Sequence, residues 1–152
     1  NESSSVVRTY NAQSRIENCT IVSNVVTGES SKYGAATAAG KVVNAICVGN
    51  TVQGVVSNLV LVGGAEATCC CTDALLPGDG NLAVDPRLGT SGARAWRPAS
   101  GSPAVDAGDR TRWESFAPGV ATDLAGRRRV RGGKIDFGAF EFHSSGMTAL
   151  VR

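Results

Sequence analysis

A repeat at an offset of 26 residues constrains the fold of this chain more than any other feature of its sequence. Residues 16–24 (IENCTIVSN) align with residues 42–50 (VVNAICVGN): apolar residues coincide at the first, sixth and seventh places, and asparagine at the third and ninth. Repeats of roughly 20–30 residues are typical of solenoids, in which each copy forms one coil. Residues 56–63 (VSNLVLVG) form a looser third copy after a shorter connection. We therefore predict about three stacked coils.

The repeated segments predict short β-strands. Each is rich in β-branched residues, is bounded by turn-forming residues and lacks a helical apolar period. Strands one coil apart would pair in parallel and place equivalent residues on top of one another, so that Asn18 would lie over Asn44. In the same way Asn24 would lie over Asn50. Asparagine tolerates left-handed backbone at a bend, and its amide can bond to the amide one coil away. The alternative that Asn18 and Asn24 are ordinary turn asparagines stays open.

Composition and charge narrow the class of protein. Aromatic residues make up 5% of the chain and there are 19 glycines, which favours short strands and turns over a large aromatic-lined pocket. The net charge of +2 predicts no nucleic-acid partner, and no apolar run approaches the length of a membrane span. The chain begins without a targeting segment, so we expect a piece of a longer protein. Its open coil end would be covered by further N-terminal coils or by a neighbouring copy.

Five cysteines are present, and their spacing matches no zinc pattern. We expect them to act as small buried hydrophobic residues in the coil interior. A single disulfide between successive coils is the alternative, and the sequence leaves the disulfide state open. The residues concerned are Cys19, Cys47, Cys69, Cys70 and Cys71.

The second half of the chain has a different pattern. Its blocks each place an aspartate beside a glycine or proline turn, framed by apolar residues, and such an aspartate can accept backbone N–H bonds and hold the turn. We predict coils over residues 1–76, an end module of the same domain over 77–142, and a tail over 143–152. The blocks are residues 77–88, 101–108, 122–127 and 132–142.

These blocks, in this order, resemble the C-terminal region of secreted bacterial right-handed parallel β-helix proteins of the choice-of-anchor type, within the pectate-lyase-like superfamily. The resemblance runs from about Ile16 to Phe142. It implies an all-β, right-handed parallel β-helix whose end module covers the last coil, in a bacterial protein that is secreted or at the cell surface. The matching residues are Asn81, Asp85, Pro86, Ser102, Pro103, Ala104, Asp106, Gly108, Asp123, Gly126, Arg129, Asp136, Gly138, Ala139, Phe140 and Glu141.

The resemblance implies less about activity, because the superfamily includes lyases, hydrolases and adhesins. We predict a structural or glycan-contacting end with no catalytic residues of its own. The alternative is a fragment of a polysaccharide lyase or glycoside hydrolase that acts on acidic polysaccharide. Lyases of this fold use calcium held by aspartates, but the outward strand residues Glu17, Ser23 and Lys41 supply no aspartate cluster. We therefore predict no cofactor, with calcium the one ion to consider.

Basic and aromatic residues are the candidates for polysaccharide binding. Arg127, Arg128 and Arg131 could grip an acidic glycan, because arginine pairs bidentately with carboxylates. The same run could instead pair internally, with Arg129 meeting Asp106 or Asp123. Two tryptophans could stack on sugar rings, or act as large plugs that close the end of the helix. They are Trp96 and Trp113.

Overall fold

Short strands are the main regular elements of the computed structural model, which describes residues 5–27 and 34–144. The strands fall into three consecutive sets along the chain, β1–β4, β5–β8 and β10–β12, with β9 as an extra strand between the second and third sets. In chain order they are β1 (Val7–Arg8), β2 (Arg15–Glu17), β3 (Thr20–Val22), β4 (Val25–Val26), β5 (Ala36–Ala38), β6 (Lys41–Val43), β7 (Ile46–Val48), β8 (Thr51–Val52), β9 (Val55–Val56), β10 (Leu59–Leu61), β11 (Glu66–Thr68) and β12 (Cys71–Thr72).

The sets pair strand by strand into four three-stranded sheets. The sheet orders are β1-β5-β10, β11-β6-β2, β12-β7-β3 and β4-β8-β9, and all pairings are parallel except that of β8 with β9. Ile16 pairs with Val42, and Val42 pairs with Ala67. The prediction of an all-β fold with parallel pairing at the 26-residue offset is therefore confirmed.

The predicted third copy of the repeat was wrong. Residues 59–61 pair with Ala36–Ala38 and not with the second copy, so the true counterpart of residues 42–48 is the later segment from β11 to β12. The reason is the antiparallel turn of β8 onto β9, which inserts an apolar strand, Val55–Val56, before the third set begins. In the true counterpart a cysteine occupies the place of the repeat's first asparagine, which hides the match.

Alternation along the strands divides their side chains between two cores. In β7, Cys47 packs in the core enclosed by the strands, whereas Ile46 and Val48 point the other way, towards Phe137. The outer face of the sheet β12-β7-β3 is therefore a second packing surface. The buried residues of the enclosed core are Ile16, Ile21, Ala36, Ala38, Val42, Ala45, Cys47, Leu59, Ala67 and Cys70.

A left-handed residue bends the chain at the same place in each set. Asn18, Asn44 and Cys69 have φ of 50°, 54° and 52°. Asparagine was expected at a bend, but the amides of Asn18 and Asn44 do not bond to each other; both face the C-terminal part of the chain. The second pair behaves as predicted, since Asn24 Nδ2 donates to Asn50 Oδ1 at 2.9 Å.

All five cysteines carry free thiols, and Cys47, Cys70 and Cys71 are buried. Burial raises the pKa of Cys70 to about 12 and raises that of Cys47 further. These side chains therefore pack as neutral, unreactive groups in the two cores, in line with their predicted role as small hydrophobic residues.

The rest of the chain is mostly irregular and folds against the strands. Pairing of the third set continues past residue 76, because Leu82 forms a parallel bridge with Cys71. We call residues 5–27 and 34–82 the strand region and residues 83–144 the C-terminal module. The module contains a 3₁₀ turn, Gly92–Arg94, and the short helix α1, Arg110–Phe116. Across the described ranges, no helix has the length and apolarity that crossing a membrane requires.

Candidate functional site

The C-terminal module docks on the bend of the second set through Asn44. Asp109 N donates to Asn44 Oδ1 at 2.7 Å, and Asn44 Nδ2 donates back to Asp109 O at 3.0 Å. Gly138 N donates to the backbone oxygen of Asn44 at 2.7 Å. Asn44 is fully buried, so these bonds satisfy polar groups that water cannot reach.

Gly138 allows a close approach to the strands. Its φ is +82°, and a Cβ there would lie 2.4 Å from Thr20 Oγ1 and 3.0 Å from Ile46 Cδ1. The next residue, Ala139, donates its N–H to the same Thr20 hydroxyl at 3.0 Å. The module thus touches the first set as well as the second, so its contacts are not confined to the last set, where an end cover was predicted.

Apolar packing reinforces this docking. Phe137, 1% exposed, joins Ala104 of the module to Ile46 and Cys71 of the strand region. The outer face of the sheet β12-β7-β3 is covered in this way. Without the module, this sheet face would expose valine and isoleucine side chains to water, which is unfavourable. The module buries them.

Arg129 is the buried centre of the interface, at 1% exposure. Its Nη1 lies 3.2 Å from Glu141 Oε1, and its Nη2 donates to Asn18 Oδ1 at 2.7 Å and to Gly138 O at 2.8 Å. The guanidinium also lies 5.3 Å from the ring centroid of Trp113. The alternative that Arg129 pairs within the module agrees with this contact, but its carboxylate partner is Glu141 and not Asp106 or Asp123.

Three carboxylates near Arg129 accept backbone N–H bonds, as the aspartate blocks predicted. Asp123 accepts from Ala125, Arg127 and Glu141, and Asp136 accepts from Asp106 and Phe142. Glu141 accepts from Asp136 N at 3.0 Å. These are local turn bonds and bonds between neighbouring turns, so the carboxylates act as the hydrogen-bonding frame of the module.

One guanidinium does not balance three carboxylates in this buried setting. Burial, with the nearby negative charge of Asp136, raises the pKa of Glu141 to about 8 despite the attraction of Arg129. The pKa of Asp136 is also raised, chiefly by burial. Both carboxyl groups therefore bind a proton more readily in the folded chain than they would in water.

The remaining motif residues hold turns within the module. Asp85 Oδ1 accepts from Arg87 N at 2.8 Å, and the buried Ser102 hydroxyl donates to Pro86 O at 2.5 Å. Gly108 N donates to Ile135 O at 2.9 Å, and a Cβ on Gly108 would lie 2.7 Å from Ile135 Cγ1. Pro103 is half-buried between these turns.

A cleft of about 510 Å³ lies in the module and gathers basic side chains. Arg94, Arg97 and Arg127 line it, together with His143. Its one lining carboxylate, Glu141, has a side chain only 2% exposed and bound to Arg129. Burial, with the charges of Arg131 and Arg127, lowers the pKa of His143, so its ring is neutral at neutral pH. The positive charge of the cleft comes from arginine alone.

The predicted glycan-binding residues do not form one cluster. Arg127 lines the cleft, and Arg131 Nη1 donates to Phe142 O at 3.0 Å beside it. Arg128 is exposed but not part of the lining. Trp96 is 40% exposed, whereas Trp113 is 8% exposed and covered by Arg129, so its ring is not open to a sugar.

Two features of the site differ from expectation. Glu17 was expected on an exposed face but is buried, and burial raises its pKa although Arg15 Nη1 lies 3.1 Å away. Arg94, Arg97 and His143 were not identified, because they belong to none of the aspartate blocks and meet Arg127 only in the folded chain. No short sequence motif joins these three residues.

No cluster of three or more histidine, cysteine, aspartate or glutamate side chains suited to a metal ion occurs in residues 5–27 and 34–144. The outer end of the predicted tail, residues 145–152, lies outside the described residues. Comparisons of the chain with protein-family models, with curated proteins and with solved structures found no match.

Proposed function

We propose that this chain is the C-terminal part of a right-handed parallel β-helix, and that its C-terminal module has a structural function: it clamps successive coils together from the side. Each strand set would be one coil. The parallel pairing of the sets supports this, as does the general preference of parallel crossovers for the right-handed connection. The ordered aspartate blocks extend the proposal to a secreted or cell-surface bacterial protein of the choice-of-anchor type.

The observation that carries the structural function is the double hydrogen bond between Asn44 and Asp109. It joins a bend of the second set to a residue 65 positions later in the chain. Together with the Arg129 bond to Asn18, it ties one module to two sets. These side-chain hydrogen bonds restrain the sets from sliding past one another. Parallel ladders between strands of only two or three residues give little restraint of this kind by themselves.

The outer edge of the first strand set is suited to pairing with a further strand set. Among the described residues, β1, β2, β3 and β4 each pair on one side only. Unpaired strand edges are ready templates for another strand. We propose that the remaining N-terminal coils of the same protein, or the coils of a neighbouring copy, occupy this edge.

Replacing Phe137 tests the structural function. Phe137→Ala empties the packing between the module and the outer face of the sheet β12-β7-β3, and it should lower the free energy of unfolding by about 3–5 kcal/mol. Phe116→Ala is the matched control, since Phe116 is 46% exposed and should change stability by less than about 1 kcal/mol. Urea unfolding followed by far-ultraviolet circular dichroism reports on the strands directly. A strand transition that is unchanged in Phe137→Ala would contradict the clamp.

A further inference from the structure

A row of three asparagines runs across the strand sets and has a fixed direction. The asparagine row consists of Asn24, Asn50 and Asn58. The backbone N–H of Asn24 donates to Asn50 Oδ1 at 3.0 Å, and that of Asn50 donates to Asn58 Oδ1 at 2.8 Å. Because a backbone N–H can only donate, these two bonds fix which side-chain atom is the oxygen. Each of the two oxygens therefore accepts from the asparagine before it in the row.

Both ends of the asparagine row present hydrogen-bond acceptors. At the end that follows the last strand, Asn58 Nδ2 donates to Asp73 Oδ2 at 2.6 Å, and an ionised carboxylate has no hydrogen to donate. At the other end, Asn24 Nδ2 already donates to Asn50 Oδ1 and to Val22 O. Asn24 Oδ1 accepts from no described residue and is open to water.

This polarity disfavours a second copy of the chain as the partner of the first set. If two first sets met, their Asn24 oxygens would face each other. If a first set met the last set of a copy, the Asn24 oxygen would face the Asp73 carboxylate. Two acceptors in contact lose their hydrogen bonds to water and gain none. A partner that continues the asparagine row must therefore supply donors.

We propose that the coil on the open edge of the first set carries an asparagine over Asn24, and that the backbone N–H and the side-chain amide of this asparagine both donate to Asn24 Oδ1. The arrangement repeats the two bonds that Asn24 itself makes to Asn50 Oδ1. It rests on the proposed β-helix function and decides between the two partners named there. The occupant is a further coil of the same protein and not a copy of this chain.

The test adds one coil to the N-terminus of the full chain. The added coil is a second copy of residues 34–52, joined to Asn1 through a copy of residues 27–29. Its connection to β1 then has the same length as the connection between β4 and β5. In this register the second copy of Asn50 lies over Asn24, so it can supply both donors.

Hydrogen exchange of two amides reports whether the added coil docks. Asn18 N and Ser23 N both donate to the second set. Since successive N–H groups of a strand point to opposite sides, those of the preceding residues, Glu17 and Val22, point to the open edge. The added coil should slow the exchange of both amides by about tenfold or more, because they gain backbone acceptors.

Two variants of the added coil test the asparagine row itself. Asn50→Asp in the added copy replaces the donating amide with a carboxylate, so about tenfold of the slowing should be lost. Asn44→Asp in the added copy makes the same change at the bend, outside the row. It should keep the slowing, since Asn18 and Asn44 of the chain itself do not bond to each other.

The outcomes separate this inference from the proposed function. Equal slowing in the Asn50→Asp and Asn44→Asp variants would overturn the donor pair but leave a coil on the edge. If the unaltered added coil slows neither amide, both the inference and the proposed function of this edge fail. The parent chain should sediment as a monomer at high micromolar concentration. Self-association that slows exchange at Glu17 and Val22 would show that a copy can occupy the edge and would overturn the inference.

Discussion

The strand region and the C-terminal module satisfy their buried polar groups in different ways. In the strand region, backbone ladders and neutral amides do so: Asn24 bonds to Asn50, Asn50 to Asn58, and Asn58 to Asp73 at the margin. In the module, ionisable side chains bond to backbone N–H groups and to one another. Apart from the pair of Glu17 with Arg15, the buried contacts of the first region are neutral and repeated, whereas those of the second are unique and carry charge.

This difference predicts how each region responds to change. Neutral amides do not titrate, so the row of asparagines should contribute no pH dependence; the buried Glu17, whose pKa is raised by burial, is the exception in the strand region. The module concentrates three carboxylates and one guanidinium in a buried space, where a change of charge is costly. Because the module clamps the sets, a change of charge within it should alter the stability of the whole chain.

The largest effect is expected from removing the buried cation. Arg129→Met leaves Glu141 and two aspartates without their guanidinium and should lower the free energy of unfolding by about 3–5 kcal/mol. Arg128→Met is the control at the next position, where the side chain is exposed, and it should cost under about 1 kcal/mol. Urea unfolding at neutral pH measures both. Equal urea midpoints for the two variants would contradict a central role of Arg129 in the interface.

The next effect is a dependence of stability on pH. With the pKa of Glu141 raised from 4.5 to about 8, the folded chain binds more protons than the unfolded chain between these values. Stability from this group is fully present below pH 4.5 and is lost as the pH rises through 8, with a slope of up to about 1.4 kcal/mol per pH unit. Asp136, whose pKa is also raised, acts in the same direction.

Glu141→Gln tests whether this pH dependence of stability comes from Glu141. The amide keeps an acceptor for Asp136 N but does not titrate, so the decline in stability from pH 5 to 8 should become shallower. Urea unfolding at several pH values gives the slope. A parent chain that gains stability over this range would show that the cluster is fully ionised when folded.

A smaller effect is expected in the strand region. Asn50 is fully buried and bonds to Ile21 O and Asn58 Oδ1, so Asn50→Ala should cost about 1–3 kcal/mol. Asn24→Ala, at the half-buried end of the row, should cost less because water can replace its bonds. Neither variant should alter the pH slope. A changed slope in Asn50→Ala would mean that the two regions are not chemically separate.

Sequence reasoning predicted the parts of the fold that depend on local or repeated contacts. The stacking of Asn24 on Asn50 followed from matching residues one repeat apart, and the turn bonds of Asp85 and Asp123 span a few residues. The position of the third copy was predicted wrongly because the inserted β9 contains valines that resemble strand residues of the repeat.

The docking of the module and the cleft could not be predicted in this way. Arg129 meets Asn18 across 111 residues, and nothing near either residue indicates the other. The choice of Glu141 over Asp106 as its ionic contact depends on which turn folds over the guanidinium. Arg97 reaches the cleft from a segment without a motif, so only the folded arrangement reveals it.

The central claim is that the module and the strand sets form one cooperative unit, and native-state hydrogen exchange tests it most directly. The amides of Asp109 and Gly138, which donate to Asn44, should open with the same free energy as the amide of Ile46, which donates to Cys19 O. Protection should be lost together as denaturant is added. Loss of protection at Asp109 and Gly138 well before Ile46 would contradict the claim and make the module a separate appendage.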